Sequence, residues 1–454
     1  MGPPAPLSEA PDPAFPILAR CARRLGVRAW VVGGYVRDRL LQRPNPDLDV
    51  VVEGPGGQGL GMAECFAEAT GSRRPVLFER FGTAQVTWEE RLVEFASARA
   101  ESYAPDSRKP EVRAASLEED LERRDFTVNT LVMDLEGGLH DFLGVGLKDL
   151  EARVLRTPRD PRQTFSDDPL RMLRAVRFAA QLGFEPAPDV LPAMRELAGR
   201  ARPPVLSVER AQDELRKMLL SERPARALEL LDAGGLLAVL LPEVAACKGV
   251  EQGGYHTHDV FGHTVLTVAH TRADLRLRLA ALFHDVGKPV TASPEGTFYE
   301  HDRVGAELAQ AALARLRFPN ALAEQVARLV RLHLRPVFYQ PDEWTDSAVR
   351  RLAREAGPLL WPLLELGRAD IAASAYPHPE KLDDLERRLR EVLAERPSRM
   401  SLPVSGKDIM EARKLAPGPE VGRLKERLQE LVLEGRLEPE REAILEYLRR
   451  HPEV

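Results

Sequence analysis

Strand-forming segments are confined to the first third of this 454-residue chain. Up to about residue 140, short β-rich runs ("AWVVGG", "LDVVVEG", "TAQVTW", "RLVEFA") mix with helical stretches. Beyond about residue 150 the strand signal nearly vanishes. Leu, Ala, Arg and Glu then recur at helical spacing, broken by Pro-rich turns such as "RPPV" and "SERP". This asymmetry predicts an α+β chain, a small mixed-sheet unit followed by helical domains. The length exceeds what one ordinary core holds. The expected division is a flexible, Pro-rich N-terminus over 1–27, a sheet-bearing unit over 28–150 and a helical unit over 151–250. A histidine-bearing helical unit over 251–375 and a helical tail over 376–454 complete it.

A hydrophobic content of 44% suits a globular chain. No apolar run is long enough to span a bilayer. The opening "MGPPAPLSEAPDPAF" lacks a basic region followed by an apolar core, so no secretory signal and no membrane partner are expected. Three cysteines, Cys21, Cys65 and Cys247, are odd in number and outside any metal-ligand spacing, which fits a reducing cytoplasm. The net charge of −6 hides a local bias: residues 151–226 hold fifteen Lys/Arg against eleven Asp/Glu, a net of +4. Local positive charge is what a phosphate-binding surface needs, although solvated helix faces also carry such runs.

The run "VVGGYVRDRLLQRPNPDLDVVVEG" places a glycine pair, Gly33 and Gly34, ahead of Arg37-Asp38, and then two aspartates one residue apart. Strand side chains alternate, so Asp47 and Asp49 share a face. Like charges that close repel unless a cation lies between them, and paired carboxylates suit Mg²⁺ together with a nucleotide's phosphates. Glycines let backbone approach a triphosphate, and a following helix N-terminus offers N–H donors. The combination describes phosphoryl or nucleotidyl transfer. A bare D-x-D is common by chance; the glycine pair and Arg37-Asp38 distinguish this one. Further on, "LERRDFTVNTL" carries Arg123, Arg124, Asp125 and Asn129. An Arg-Arg-Asp cluster can hold a phosphate and, through the carboxylate, a ribose hydroxyl, or can cap a helix. In "FSDDPLRMLRAVRF", Asp168 suits an N-cap ahead of Pro169, and Arg171, Arg174 and Arg177 recur on one helix side.

These motifs, with "VERAQDELRKML" after them, stand in the order and at the spacings of one family. The chain resembles the class II tRNA nucleotidyltransferases, the family of bacterial CCA-adding enzymes and their relatives the poly(A) polymerases. The resemblance spans essentially the whole chain. It implies a nucleotidyltransferase palm as head, then a neck, a body and a tail. It implies that Asp47 and Asp49 hold Mg²⁺, with Glu94 of "RLVEFA" a candidate third carboxylate or else a surface glutamate. Gly33, Gly34 and Arg37 would line the triphosphate, Arg124 and Asp125 would sit at the ribose, and Asn129 would belong to the nucleotide site. Asp168 and Arg171 would pair with the incoming base, Arg174 and Arg177 would add to the nucleotide site, and Glu209 and Arg210 would brace the neck. The substrates so implied are tRNA, CTP and ATP. Asp167 stands where the pattern usually has Glu, and "HDFLGVGLKDL", a hinge-like stretch, is one residue longer than the pattern. The stretch "SARAESYAPDSRKPEV", with Arg99, Glu101, Tyr103, Arg108 and Pro110, looks like the loop that enzymes adding only CC lack in part, which predicts AMP addition. A poly(A) polymerase, or an enzyme adding only A or only CC, is the alternative. A nucleotidyltransferase acting on a protein would need regulatory domains for which the tail has no room. The intact Asp47 and Asp49 argue against an HD hydrolase with a dead head.

Histidines make a second constellation. "HTHDVFGHTVLTVAH" contains His256, His258, His263 and His270, and "AALFHDVGKP" contains His284-Asp285 and Lys288. An adjacent His-Asp in an apolar helical run puts a nitrogen and an oxygen ligand into what should be core, a cost that a bound metal resolves. The pattern resembles the HD phosphohydrolase superfamily. That resemblance implies His263, His284, Asp285 and Asp370 as ligands of a divalent transition metal, His301 and His333 as candidates for a second, and Lys288 as a phosphate contact. A degenerate domain kept as an RNA-binding scaffold is the other reading.

Overall fold

The computed structural model describes residues 12–54, 58–79, 82–102, 111–255, 257–394, 402–433 and 436–451. Helix α1 (Ala14–Leu25) leads into β1 (Arg28–Val32), α2 (Gly34–Leu40), β2 (Leu48–Glu53) and α3 (Gln58–Thr70). Strands β3 (Val76–Phe78), β4 (Thr83–Trp88) and β5 (Arg91–Ser97) follow, then a separate hairpin of β6 (Arg99–Ser102) and β7 (Glu111–Ala114). Helix α4 (Leu117–Glu122) precedes the short β8 (Val132–Met133) and β9 (Leu139–His140). The seven-stranded sheet runs β3-β4-β5-β2-β1-β8-β9, antiparallel except for the β2–β5 pair.

Alternation along β2 sorts its side chains. Leu48, Val50 and Val52 join the main core with Phe15 and Leu18 of α1 and Met62 and Phe66 of α3. Val51 turns to the opposite face and clusters with Val32, Val132, Leu117 and Leu121. Residues 12–27 correct one expectation: they are not a flexible lead. Phe15 and Leu18 are fully buried, and Asp12 accepts hydrogen bonds from Tyr35 (3.0 Å) and Arg91 (2.7 and 3.1 Å). The "FPILARCARRL" spacing gives α1 an apolar face, and that face closes the back of the sheet.

Beyond α5 (Gly146–Ala152) the described residues form helices apart from β10 (Val154–Leu155), which pairs in parallel with β11 (Glu185–Pro186). Helices α6 (Pro161–Asp167), α7 (Leu170–Leu182), α8 (Val190–Leu197), α9 (Val208–Leu219) and α10 (Pro224–Ala233) follow. Asp160 caps α6 through Arg162 N–H (2.8 Å), with Pro161 in its first turn, and Ser207 caps α9. The histidine-bearing region is built on helices Val260–Ala269, Leu275–Phe283, His301–Arg315, Asn320–Leu332 and Leu360–Ala372. Helix Lys381–Ala394 packs into the same core through Leu382, Leu385 and Leu389, so the tail expected from residue 376 starts later. The last described helices, from Gly406 to Arg450, have a core of their own around Ile409, Leu428 and Ile444. Among the described residues no helix is long and apolar enough to cross a membrane.

Candidate active centres

At the end of β1 the backbone turns through Gly33, at φ +72°, into α2. A Cβ there would lie 3.3 Å from both the Asp49 carboxylate and the Arg124 guanidinium, so glycine keeps that gap open. Asp49 stands directly opposite Val32 on one side and Glu94 on the other. Asp47 precedes β2 on the same face, its carboxylate accepting the Leu92 N–H (3.0 Å). Asp49 and Glu94 are thus neighbours on two adjacent parallel strands, with Asp47 just before β2 on the same face and Glu94 steadied by the Gln85 amide. Burial pushes Asp49 up to about 6, with Glu94 and Asp47 adding to the shift and Arg124 opposing it. Negative charge crowded to that degree fits a hard divalent cation held by oxygen. Gly34 begins α2 beside the Asn45 amide and the Arg37 guanidinium.

Behind this cluster runs a buried polar chain. Arg37 pairs with Asp38 through two hydrogen bonds (2.8 and 2.9 Å) and donates to the Asn129 side-chain oxygen (2.7 Å). Asn129 donates to Asp125 (2.9 Å), and Asp125 accepts from Arg174 (2.6 and 2.7 Å). Against the effect of burial, Arg174 and Asn129 hold the Asp125 carboxyl well below the usual carboxylate range. The chain joins α2 and the Arg-Arg-Asp segment to α7. Within it the Arg37 guanidinium, expected at the triphosphate, is buried and engaged by Asp38 and Asn129, as Asp125 is by Asn129 and Arg174. Arg177 is bound to Glu214 (2.6 Å) and Gln181 (2.9 Å), facing α9. Burial, with the Arg174 charge adding to it, pushes Arg177 below its ordinary value.

At the start of α7 one Asp168 oxygen accepts the Leu170 N–H (3.1 Å), so the expected capping contact is present. Its other oxygen accepts from Arg210 (2.8 Å). Arg171 donates to the Arg123 carbonyl (2.7 Å), tying α7 to the Arg-Arg-Asp segment. Glu209 pairs with Arg317 instead. Asp120 escaped sequence reasoning: it is buried and binds both Arg123 (2.6 Å) and Arg124 (3.2 Å), organising the basic box from α4. Its only sequence signal is the Ser116-to-Glu119 capping box that starts the helix. Arg99 and Glu101 lie on β6, whereas Tyr103, Arg108 and Pro110, like His256, lie outside the described residues.

Four histidines and two aspartates cluster in a second centre. His263 Nε2 is 2.9 Å from Asp370 and 3.3 Å from His284 Nε2, which is 3.1 Å from Asp285 Oδ2. The other Asp285 oxygen lies 3.4 Å from His301 Nε2 and 3.8 Å from His333 Nε2, and those two Nε2 atoms are 3.4 Å apart. Asp285 therefore faces two ligand groups, one with His263 and His284 and one with His301 and His333. The Nδ1 atoms of all four rings meet backbone carbonyls of Ala373 (3.3 Å), Ala281 (2.8 Å), Phe298 (2.7 Å) and Val330 (2.6 Å). A carbonyl only accepts, so each Nδ1 carries a proton and Nε2 is the atom left facing the centre. Against burial, Asp285 and Asp370 push His284 up, so its Nε2 gives up a proton when it binds a cation. Burial pushes His333 down to about 4, with His284 adding to it, which keeps that ring neutral. Against burial, His284 and Lys288 hold Asp285 well below the carboxylate range, and Lys288 reaches it at 2.7 Å. Gly287 lies so close to the His301 backbone that no side chain fits, which explains the glycine after His284-Asp285. This donor set fits one or two divalent metals. His258 and His270 lie outside both ligand groups.

Residues 29–156 match the family described as the poly A polymerase head domain, 183–248 the probable RNA and SrmB-binding site of polymerase A, and 255–391 the HD domain. The chain is 38% identical to a CC-adding tRNA nucleotidyltransferase of Thermus thermophilus, over 91% of this chain and 92% of the relative. It is 36% identical to an A-adding tRNA nucleotidyltransferase of Deinococcus radiodurans, over 88% and 91%. Among solved structures it is similar to the Bacillus stearothermophilus CCA-adding enzyme in complex with CTP, with a TM-score of 0.63 and 27% identity over 97% of this chain and 98% of that one.

Proposed function

The chain belongs to the class II tRNA nucleotidyltransferase family and carries an HD domain, and we propose that it adds CCA to tRNA 3′ ends from CTP and ATP without a nucleic-acid template. The observation that carries this reading is the register of Asp49 against Glu94, with Asp47 on the same face and Gly33 and Arg124 alongside. In the reaction the primer's 3′-oxygen bonds to the α-phosphorus as the bond to pyrophosphate breaks. Mg²⁺, held by Asp47, Asp49 and Glu94, would supply charge neutralisation at the phosphates and a more acidic 3′-hydroxyl. Arg124, beside Asp49, meets the phosphate charge, and Gly33 and Gly34 leave the backbone approachable. Asp125, fixed by Arg174, is offered to the ribose side. Asp168 and Arg171 meet the base edge: the carboxylate accepts from the exocyclic amino group that cytosine and adenine share.

The division into head, neck, HD body and tail is part of this reading, with α1 added to the head and helix Lys381–Ala394 to the body. The two relatives compared above are named for CC and for A addition respectively. The β6–β7 hairpin, which carries the stretch tied to AMP addition, favours a chain that adds A as well. The test offers purified protein three tRNA transcripts, ending before CCA, after C and after CC, with each labelled nucleotide. C incorporation on the first two and A on the third is expected; A on the third alone would reduce the activity to A addition, and none would overturn the reading.

The HD centre supports a second activity, hydrolysis of phosphate esters. Four inward Nε2 atoms around two buried carboxylates support it over an RNA-binding scaffold, which needs no such donor set. His263, His284, Asp285 and Asp370 would hold one divalent transition metal, with His301 and His333 completing a second site, and Lys288 is placed for phosphate charge. Metal-stimulated release of phosphate from a generic phosphoester, lost in His284→Ala, checks it.

A further inference from the structure

Phe178, on α7, is a ring in the head–neck contact that three guanidinium groups share. Arg37 of α2 lies 5.0 Å from its centroid, Arg174 5.2 Å and Arg177 4.0 Å. Each cation has its own carboxylate, Asp38, Asp125 or Glu214, yet they are crowded around a ring that is only 5% exposed. Phe126, the residue after Asp125, meets the same ring edge-on at 5.8 Å. An aromatic face attracts a cation and an apolar aliphatic group of similar volume does not. The ring thus touches the arginine that grips Asp125 and the residue next to Asp125, and it lies on the helix that begins with the base-reading pair.

We infer that Phe178 is a positioning residue for nucleotide addition: it fixes Asp125, on the ribose side, in register with Asp168 and Arg171, on the base side. The inference rests on the transferase reading. Without the ring face, Arg174 keeps its carboxylate and loses its second restraint, and the two halves of the nucleotide site drift relative to each other. Misplacement of that kind lowers turnover more than ground-state binding.

The experiment compares Phe178→Leu, Phe178→Met and Phe178→Tyr with the unaltered protein. It measures kcat and KM for all four nucleotides on the three tRNA transcripts, at a temperature where circular dichroism shows each variant folded. In the Leu and Met variants kcat for CTP and ATP should fall about 100-fold, with KM shifting less than about threefold. Their preference for CTP and ATP over UTP and GTP should fall as well, and the Tyr variant, which keeps a ring face, should stay near native in both. The Met variant serves if Phe178→Leu does not fold. Native kcat and native preference in either folded aliphatic variant overturns the inference, as does an equal loss in the Tyr variant, since both mean the ring only fills space. Failure of the unaltered protein to incorporate any nucleotide is a different result, and refutes the transferase reading itself.

Discussion

Asp168→Asn separates the structural role of this residue from its proposed reading role better than removal does. One carboxylate oxygen accepts the Leu170 N–H at 3.1 Å and the other accepts from Arg210 at 2.8 Å. Asparagine caps helices as well as aspartate, so its oxygen keeps the contact to Leu170. Its amide NH₂ then points where the second oxygen was. The lost ion pair is partly exposed, the two side chains being 25% and 51% accessible, and costs less than about 1 kcal/mol. The base-reading position changes from acceptor to donor. Facing it, the amino group of cytosine or adenine loses its partner, at about 1–3 kcal/mol, while the O4 of uracil or O6 of guanine gains one of similar worth. The swing between CTP and UTP is the sum, about 2–6 kcal/mol, or at least roughly 30-fold in relative kcat/KM. Asp168→Ala, which loses cap and charge together, should cost about 1–2 kcal/mol of stability and flatten the preference without reversing it. The assay is kcat/KM for each nucleotide on tRNA ending before CCA and after CC, with thermal unfolding measured on the same preparations. An unchanged CTP-to-UTP ratio in folded Asp168→Asn would refute base reading by Asp168 and leave it a helix cap.

Asp49→Asn and Asp47→Asn should each lower nucleotide addition by several orders of magnitude with little effect on the thermal transition, since a metal carboxylate is worth several kcal/mol in the transition state; near-native turnover in saturating Mg²⁺ would refute the metal assignment. Because Asp49 is pushed up to about 6, protons compete with the cation below that pH. The Mg²⁺ concentration giving half-maximal rate should therefore rise by up to about tenfold per unit as pH falls below 6 and be flat above about 7, as read from Mg²⁺ titrations at several pH values. Asp285→Asn should remove metal from both halves of the HD centre, whereas His301→Ala should spare the His263–His284 half; metal content by mass spectrometry and nucleotide addition, which neither should touch, check this. Affinity for tRNA should fall with added salt, and Arg202→Glu with Arg216→Glu in the neck should flatten the slope by about one unit for each phosphate the protein no longer neutralises.

The alternation that puts Asp47 and Asp49 on one face is a local property, and it was legible in the sequence. The partner strand of Asp49 is not local: β2 and β5 are parallel neighbours separated in the chain by α3, β3 and β4, so the Asp49–Glu94 register belongs to the folded sheet. Arg37 and Arg177 show what a motif alone leaves open. A basic residue in a nucleotide motif reads the same whether it faces a phosphate or a buried acid, and the partners that decide it, Asn129 and Glu214, lie 92 and 37 residues away. Helix α1 is hard to read because the prolines before it outweigh the apolar spacing of Phe15, Leu18 and Ala22. Within the HD centre only the adjacent His284-Asp285 declares itself from the residues. His263 meets Asp370 across 107 residues, and that convergence was available only through resemblance.

The carbonyl anchors on the four histidines have a thermodynamic consequence. In three of them, His284, His301 and His333, the anchor is the residue three positions earlier in the chain, so the local backbone fixes the ring before any ion arrives. Metal uptake then orders almost nothing: the ring rotamers are already those of the loaded site, and little binding energy goes into assembling it. Loading is in this respect unlike that of a zinc finger, where ion capture and folding are one event. A chelator should strip the centre and leave the helices standing, with the same ring positions waiting for the next ion, so that the choice among transition metals rests on how well each tolerates a donor array that does not move.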